Sequence, residues 1–103
     1  MEPHDNQKGL IETWRVQAHG GVQNVGWRNA CVRRARALGV TGWVRNRMDG
    51  SVEAMLQGPA ERLGKLCDWL RDGVPAARVD RLDVAPVQPP SARFDRFDRL
   101  PTA

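Results

Sequence analysis

The chain has 103 residues, of which 41% are hydrophobic and 27% charged, and its formal net charge is +4. That is length for one compact domain and not two, and the composition of a soluble globular protein, not a disordered one. No apolar run is long enough to span a bilayer, and residues 1–9 lack the apolar stretch of a secretion signal, so a cytoplasmic location is expected.

Fourteen of the 16 basic residues are arginine. The resulting positive field favours anionic ligands, whether nucleic acid, phosphorylated metabolites or acidic proteins, and does not choose among them. Cys31 and Cys67 form no CxxC pair, and His4 and His19 stand at no metal-ligand spacing to them. Two buried thiols in a reducing compartment are expected.

Residues 1–9 are polar and read as a flexible lead-in, residues 10–100 as the single domain, and 101–103 as a tail. From Ile11 to Ala18, Trp14, Val16 and Ala18 alternate with Thr13, Arg15 and Gln17, which predicts a half-buried strand. His19-Gly20-Gly21 is expected to break it. From Val25 to Leu38 the period becomes helical through Trp27, Cys31, Ala35 and Leu38, with Asn24 placed as N-cap and Gly39 as C-cap. Val40 to Asn46 predicts a second strand. Met48-Asp49-Gly50 supplies a hairpin turn, and Ser51 to Gln57 a third strand. Pro59 marks the start of a second helix, carried by Leu63, Leu66, Cys67 and Leu70 and ended near Gly73. Arg78 to Val87 alternates imperfectly through Val79, Leu82 and Val84, and Pro89-Pro90 breaks it. A short closing strand is expected between Phe94 and Leu100, with one of the two phenylalanines in the core. The order β-α-β-β-α-β predicts an α+β, ferredoxin-like sandwich: an antiparallel sheet with both helices on one face.

The stretch that carries chemistry is His19-Gly20-Gly21-Val22-Gln23-Asn24-Val25-Gly26-Trp27-Arg28. It runs from a strand end through glycines into a helix start. Amides there have no intrahelical acceptor and lie at the positive end of the helix dipole. Glycines let the backbone curl so that several N–H groups converge on an anion such as phosphate. Arg28, in or near the first helical turn, would reach the same anion with two donors. The glycine spacing fits neither a Walker A loop nor a dinucleotide fingerprint.

Gly20 to Arg28 resembles the acylphosphatase signature Gly-x-Val-Gln-Gly-Val-Gly-Phe-Arg. A second region of that family, Gly-Trp-Val-Arg-Asn followed by Asp-Gly and Val-Glu, is matched by Gly42 to Asn46, Asp49-Gly50 and Val52-Glu53. Trp69-Leu70 with Gly73, and Ala77-Arg78-Val79, also resemble it, so the likeness spans residues 10 to 100. The resemblance implies hydrolysis of the carboxyl–phosphate bond of acyl phosphates, with no metal or cofactor. It also implies Arg28 as the phosphate-binding arginine and Asn46 as the residue that positions water. The backbone at Gly21, Val22, Gln23, Asn24 and Val25 would be the phosphate cradle. Trp27 stands where that family has Phe, and Asn24 where it has Gly; Asn is among the residues that best tolerate a left-handed backbone.

The expected partners are a small acyl phosphate and inorganic phosphate, without nucleic acid or membrane, and the chain is expected to act as a monomer. One alternative is a catalytically weak phosphate-binding or regulatory module of the same fold. A nucleic-acid-binding domain is another, disfavoured because Ser51 to Gln57 offers no aromatic for base stacking.

Overall fold

The computed structural model describes residues 10–89 and 91–103. The lead-in expected at 1–9, and Pro90 of the expected break, lie outside the described residues. In chain order the elements are β1 (Glu12–Gly21), α1 (Trp27–Leu38), β2 (Thr41–Asn46), β3 (Val52–Gly58), α2 (Ala60–Asp72), β4 (Arg78–Pro86) and β5 (Phe97–Arg99). The strands form one sheet in the order β4-β1-β3-β2-β5.

The ferredoxin-like sandwich is present, with one correction. The sheet is mixed, not purely antiparallel: β1, β2, β3 and β4 pair antiparallel, but β5 lies parallel to β2. β4 and β5 lie at opposite edges of the sheet, and β5 starts at the same end as β2. Gln57, at the end of β3, holds the segment that joins them. Its Nε2 donates to the Ala92 carbonyl at 2.6 Å and to Thr13 Oγ1 at 3.0 Å, and its Oε1 accepts from the Phe94 amide at 2.9 Å.

Strand pairing decides which face is core. Trp14, Val16 and Ala18 of β1 stand opposite Leu56, Ala54 and Val52 of β3, which in turn face Gly42, Val44 and Asn46 of β2. This face is covered by Ala30, Cys31 and Ala35 of α1 and by Leu63, Leu66 and Leu70 of α2, all buried. Each such Leu or Val contributes about 1.5–3 kcal/mol when fully buried. Burial pushes the Cys67 thiol up to about 11 and raises Cys31 further, Cys67 adding to the effect on Cys31. Both thiols are free, buried and, on these grounds, poor nucleophiles.

Three local expectations are revised. First, Gly20 and Gly21 continue β1 and pair with β4, through a register shift between His19 and Gly20. The extra residue is Asp80, since His19 pairs with Arg81 and Gly20 with Val79. This bulge explains the imperfect alternation of β4: it flips the parity and puts Val79 and Leu82 against the same core. Gly20 adopts φ +123°, and a Cβ there would stand 2.3 Å from the Arg78 carbonyl oxygen. Second, α1 begins at Trp27, not Val25, and its N-cap is Gly26 in the left-handed region, not Asn24. Third, Phe97 is the core phenylalanine, 1% exposed, while Phe94 is half-buried. The residues read as a tail are tied in: the Ala103 amide donates to the Asn46 carbonyl, and the Ala103 carbonyl accepts from the Met48 amide, each at 3.0 Å.

The open face of the sheet carries a charged cluster beside Trp43 and Met55. Glu53, 4% exposed, receives Arg15 at 2.7 Å, Arg45 at 3.0 Å and Arg47 at 3.3 Å. Burial pushes its carboxyl up, but hydrogen bonds from Arg15 and Arg45 outweigh that, so it is held below the ordinary carboxylate range.

Candidate active site

β1 and β2 run in the same direction, because both pair antiparallel with β3. Their ends therefore lie at one end of the sheet. The register makes this specific: Ala18 of β1 and Asn46 of β2 both stand opposite Val52. The loop after β1 and the last residue of β2 are thus neighbours by topology.

The loop curls for a backbone reason. The Val22 amide turns back to the Gly20 carbonyl at 3.0 Å. Asn24 and Gly26 then take left-handed φ values of 63° and 81°. Left-handed residues set among ordinary ones turn successive amides toward one side, which makes an anion-binding concavity. The amides of Gln23, Asn24, Val25 and Gly26 meet no acceptor among the described residues. The expected cradle, Gly21 to Val25, overlaps this run: Gly21 is still paired with Arg78 in β4, and the open amides continue to Gly26. No acidic side chain occupies the first turn of α1, so nothing there offsets the positive end of its dipole.

Trp27 fixes where the helix starts. It is 1% exposed, and its indole N–H donates to the Leu70 carbonyl of α2 at 3.3 Å. The next residue, half-buried Arg28, lines a cavity of about 90 Å³ with Asn24, Gly26, Asn29 and Arg99, closed by Val22 and Trp27. No carboxylate lines it. A larger hollow, about 400 Å³, sits at the other end of β1 near Thr13, Gln57 and Pro86, away from these residues.

Asn46 is 7% exposed, and its side-chain oxygen is buried without a hydrogen-bond partner among the described residues. A buried orphan acceptor costs about 1–3 kcal/mol unless a ligand or water meets it.

Two features were not legible in the sequence. Gln23, read there only for its backbone, uses its side chain as a brace: Nε2 donates to the carbonyls of Arg47 and Ser51, each at 2.8 Å. It thereby ties the loop to the hairpin that carries Asn46. The other feature is Arg99 of β5, which reaches the cavity from the far edge of the sheet and donates to Asn29 Oδ1 at 2.7 Å. No sequence pattern signals either contact, because both join segments distant in the chain.

Fold and site together define a small α+β sandwich with a run of open amides and an arginine at one helix start. A family model described as Acylphosphatase matches residues 14–99. The acylphosphatase of Polaromonas naphthalenivorans is 62% identical over 91 residues, covering 88% of this chain and 90% of that protein. Acylphosphatase 1 of Ralstonia nicotianae is also 62% identical, over 92 residues, 89% of this chain and 90% of the relative. An acylphosphatase structure from Coxiella burnetii superposes with a TM-score of 0.83 at 27% identity, covering 89% of this chain and 95% of that one. The chain belongs to the acylphosphatase family, and it is a hydrolase of acyl phosphates.

Proposed function

We propose that the site hydrolyses the bond between phosphorus and the acyl oxygen, with Arg28 and the amides after Gly21 holding the phosphoryl group and Asn46 holding the attacking water. The observation that carries this reading is the orphaned, buried oxygen of Asn46 at the same sheet end as the open amides. Water bonds to phosphorus as the acyl oxygen leaves with the bonding electrons. The leaving carboxylate has a conjugate acid of pKa about 4, so it departs without a proton donor. The water's proton passes to the phosphate oxygens or to solvent. What remains difficult is bringing water to an anion, and that is a matter of charge and placement. Arg28 and the amides offset the phosphoryl charge. Asn46 orients water by its carbonyl and amide without itself titrating.

We read the protein as a small-molecule enzyme acting as a monomer in a reducing, cytoplasmic setting, a reading supported for the redox state by the free thiols of Cys31 and Cys67.

The test is hydrolysis of benzoyl phosphate in the presence of chelator, with inorganic phosphate as inhibitor. Arg28→Ala is expected to weaken phosphate inhibition and lower kcat/KM by about 10²-fold or more. Asn46→Ala is expected to lower kcat by a similar factor with KM little changed. Phosphate binding without turnover in the wild type would instead favour a binding module. Full activity in Arg28→Ala would place the site elsewhere.

A further inference from the structure

We infer that Arg99 is a specificity residue, binding a carboxylate carried by the acyl part of the substrate beyond the reacting bond. The inference rests on the reading that Arg28 and the loop amides hold the phosphoryl group.

Two arginines line one small cavity, and they sit at different depths. Arg28 is half-buried and Arg99 exposed. The cavity, about 90 Å³ and open to solvent, has the scale of a phosphoryl group. An acyl part joined to a phosphoryl group held at Arg28 would extend outward, toward exposed Arg99.

Arg99 is also held in place. Its strand is paired with β2 opposite Val44, the following Leu100 amide donates to the Val44 carbonyl at 2.8 Å, and Asn29 Oδ1 takes one Nη1 hydrogen. A guanidinium has five N–H donors, so this single neutral contact leaves a full edge for a bidentate partner.

Arg15, Arg45, Arg47, Arg71, Arg78 and Arg81 each meet a carboxylate. The other eight of the 14 arginines meet none among the described residues, and of these Arg28 and Arg99 share one cavity whose lining holds no carboxylate. The phosphoryl group answers the deeper charge, and a second anion on the substrate answers the outer one. The substrate class we infer is the monophosphate of a dicarboxylic acid, one carboxyl phosphorylated and the other free.

The probe compares benzoyl phosphate with 3- and 4-carboxybenzoyl phosphate, whose second carboxylate cannot fold back on the reacting carbonyl. The readout is the ratio of kcat/KM for each carboxylated substrate to that for benzoyl phosphate, so that any general loss of activity cancels. In the wild type at least one ratio is expected to exceed one and to fall several-fold at high salt, since an exposed pair is screened. Arg99→Gln is expected to lower that ratio by roughly five- to tenfold, and Arg99→Lys, which keeps the charge but not the fork, by less. Ratios that stay within about twofold of the wild type in Arg99→Gln overturn the inference. So does an equal loss on all substrates with weaker phosphate inhibition, which would make Arg99 a second phosphoryl ligand. Wild-type ratios at or below one and insensitive to salt overturn it without any variant. Arg28→Gln separates the two readings: if phosphate inhibition survives in that variant, the cradle itself is misplaced, and the inference falls with it.

Discussion

Replacing Gln23 by alanine removes a brace between the loop that carries the open amides and the hairpin that follows Asn46. The side-chain amide spans to two carbonyls, Arg47 and Ser51, at 2.8 Å each. Whether their loss costs about 2 or about 5 kcal/mol depends on what the carbonyls keep. Arg47 O still accepts from the Gly50 amide at 3.1 Å, and Ser51 O from the Arg47 amide at 2.8 Å. Neither becomes an orphan, so each lost bond is worth its net value of about 1 kcal/mol and not a full desolvation penalty. The expected loss is about 2 kcal/mol in the free energy of unfolding, read by urea denaturation. Activity is expected to fall further than stability implies. A shift of the hairpin moves Asn46 relative to the phosphoryl group, and a displacement near 1 Å costs on the order of 10²-fold. The Gln23→Ala enzyme, assayed where it is fully folded, should lose at least about tenfold in kcat on benzoyl phosphate. Gln23→Glu should be worse at neutral pH, because a carboxylate would then face two carbonyl oxygens. A Gln23→Ala variant that matches the wild type in both denaturation midpoint and kcat would refute the brace.

Three further outcomes follow from the packing. Glu53 is held below the ordinary carboxylate range in the folded chain, so its contribution is full above the unfolded value of about 4.3 and is lost as pH falls through the lower, folded value. Glu53→Gln should therefore cost about 2 kcal/mol at pH 7, less than a fully buried pair because Arg15 stays 46% exposed, and its stability should converge on the wild type in acid. Asn24→Gly should alter stability by less than about 1 kcal/mol and turnover by less than about threefold, since Asn24 already holds φ 63°, and its exposed side chain takes no hydrogen bond from the loop; Asn24→Val, strained at that φ, should be impaired in both, as read by thermal unfolding and initial rates. Gly20→Ala should cost roughly 3 kcal/mol or more, because its Cβ would meet the Arg78 carbonyl at 2.3 Å, and hydrogen exchange should show the β1–β4 bulge opening first.

The sequence by itself determined the elements and their order, because hydrophobic period is a local property. Trp14-Val16-Ala18 alternates as a strand, and Leu63-Leu66-Cys67-Leu70 recurs as a helix, whatever they later touch. Residue types around the glycine turn also pointed to Arg28, whereas Asn46 was marked only by the resemblance of Gly42 to Asn46 to the acylphosphatase pattern. Tertiary structure decided what depends on partners. The faulty alternation of β4 made sense only when Asp80 was seen as a bulge against Gly20. The choice between Phe94 and Phe97 waited on the segment held by Gln57. The loop from His19 to Arg28 looked like a helix start at Val25, yet left-handed turns at Asn24 and Gly26 delay the helix to Trp27 and leave the amides between open. Gln23 and Arg99 enter the site through contacts with residues 24 to 70 positions away in the chain, and no local pattern encodes such contacts, because they exist only once the sheet has brought its ends together.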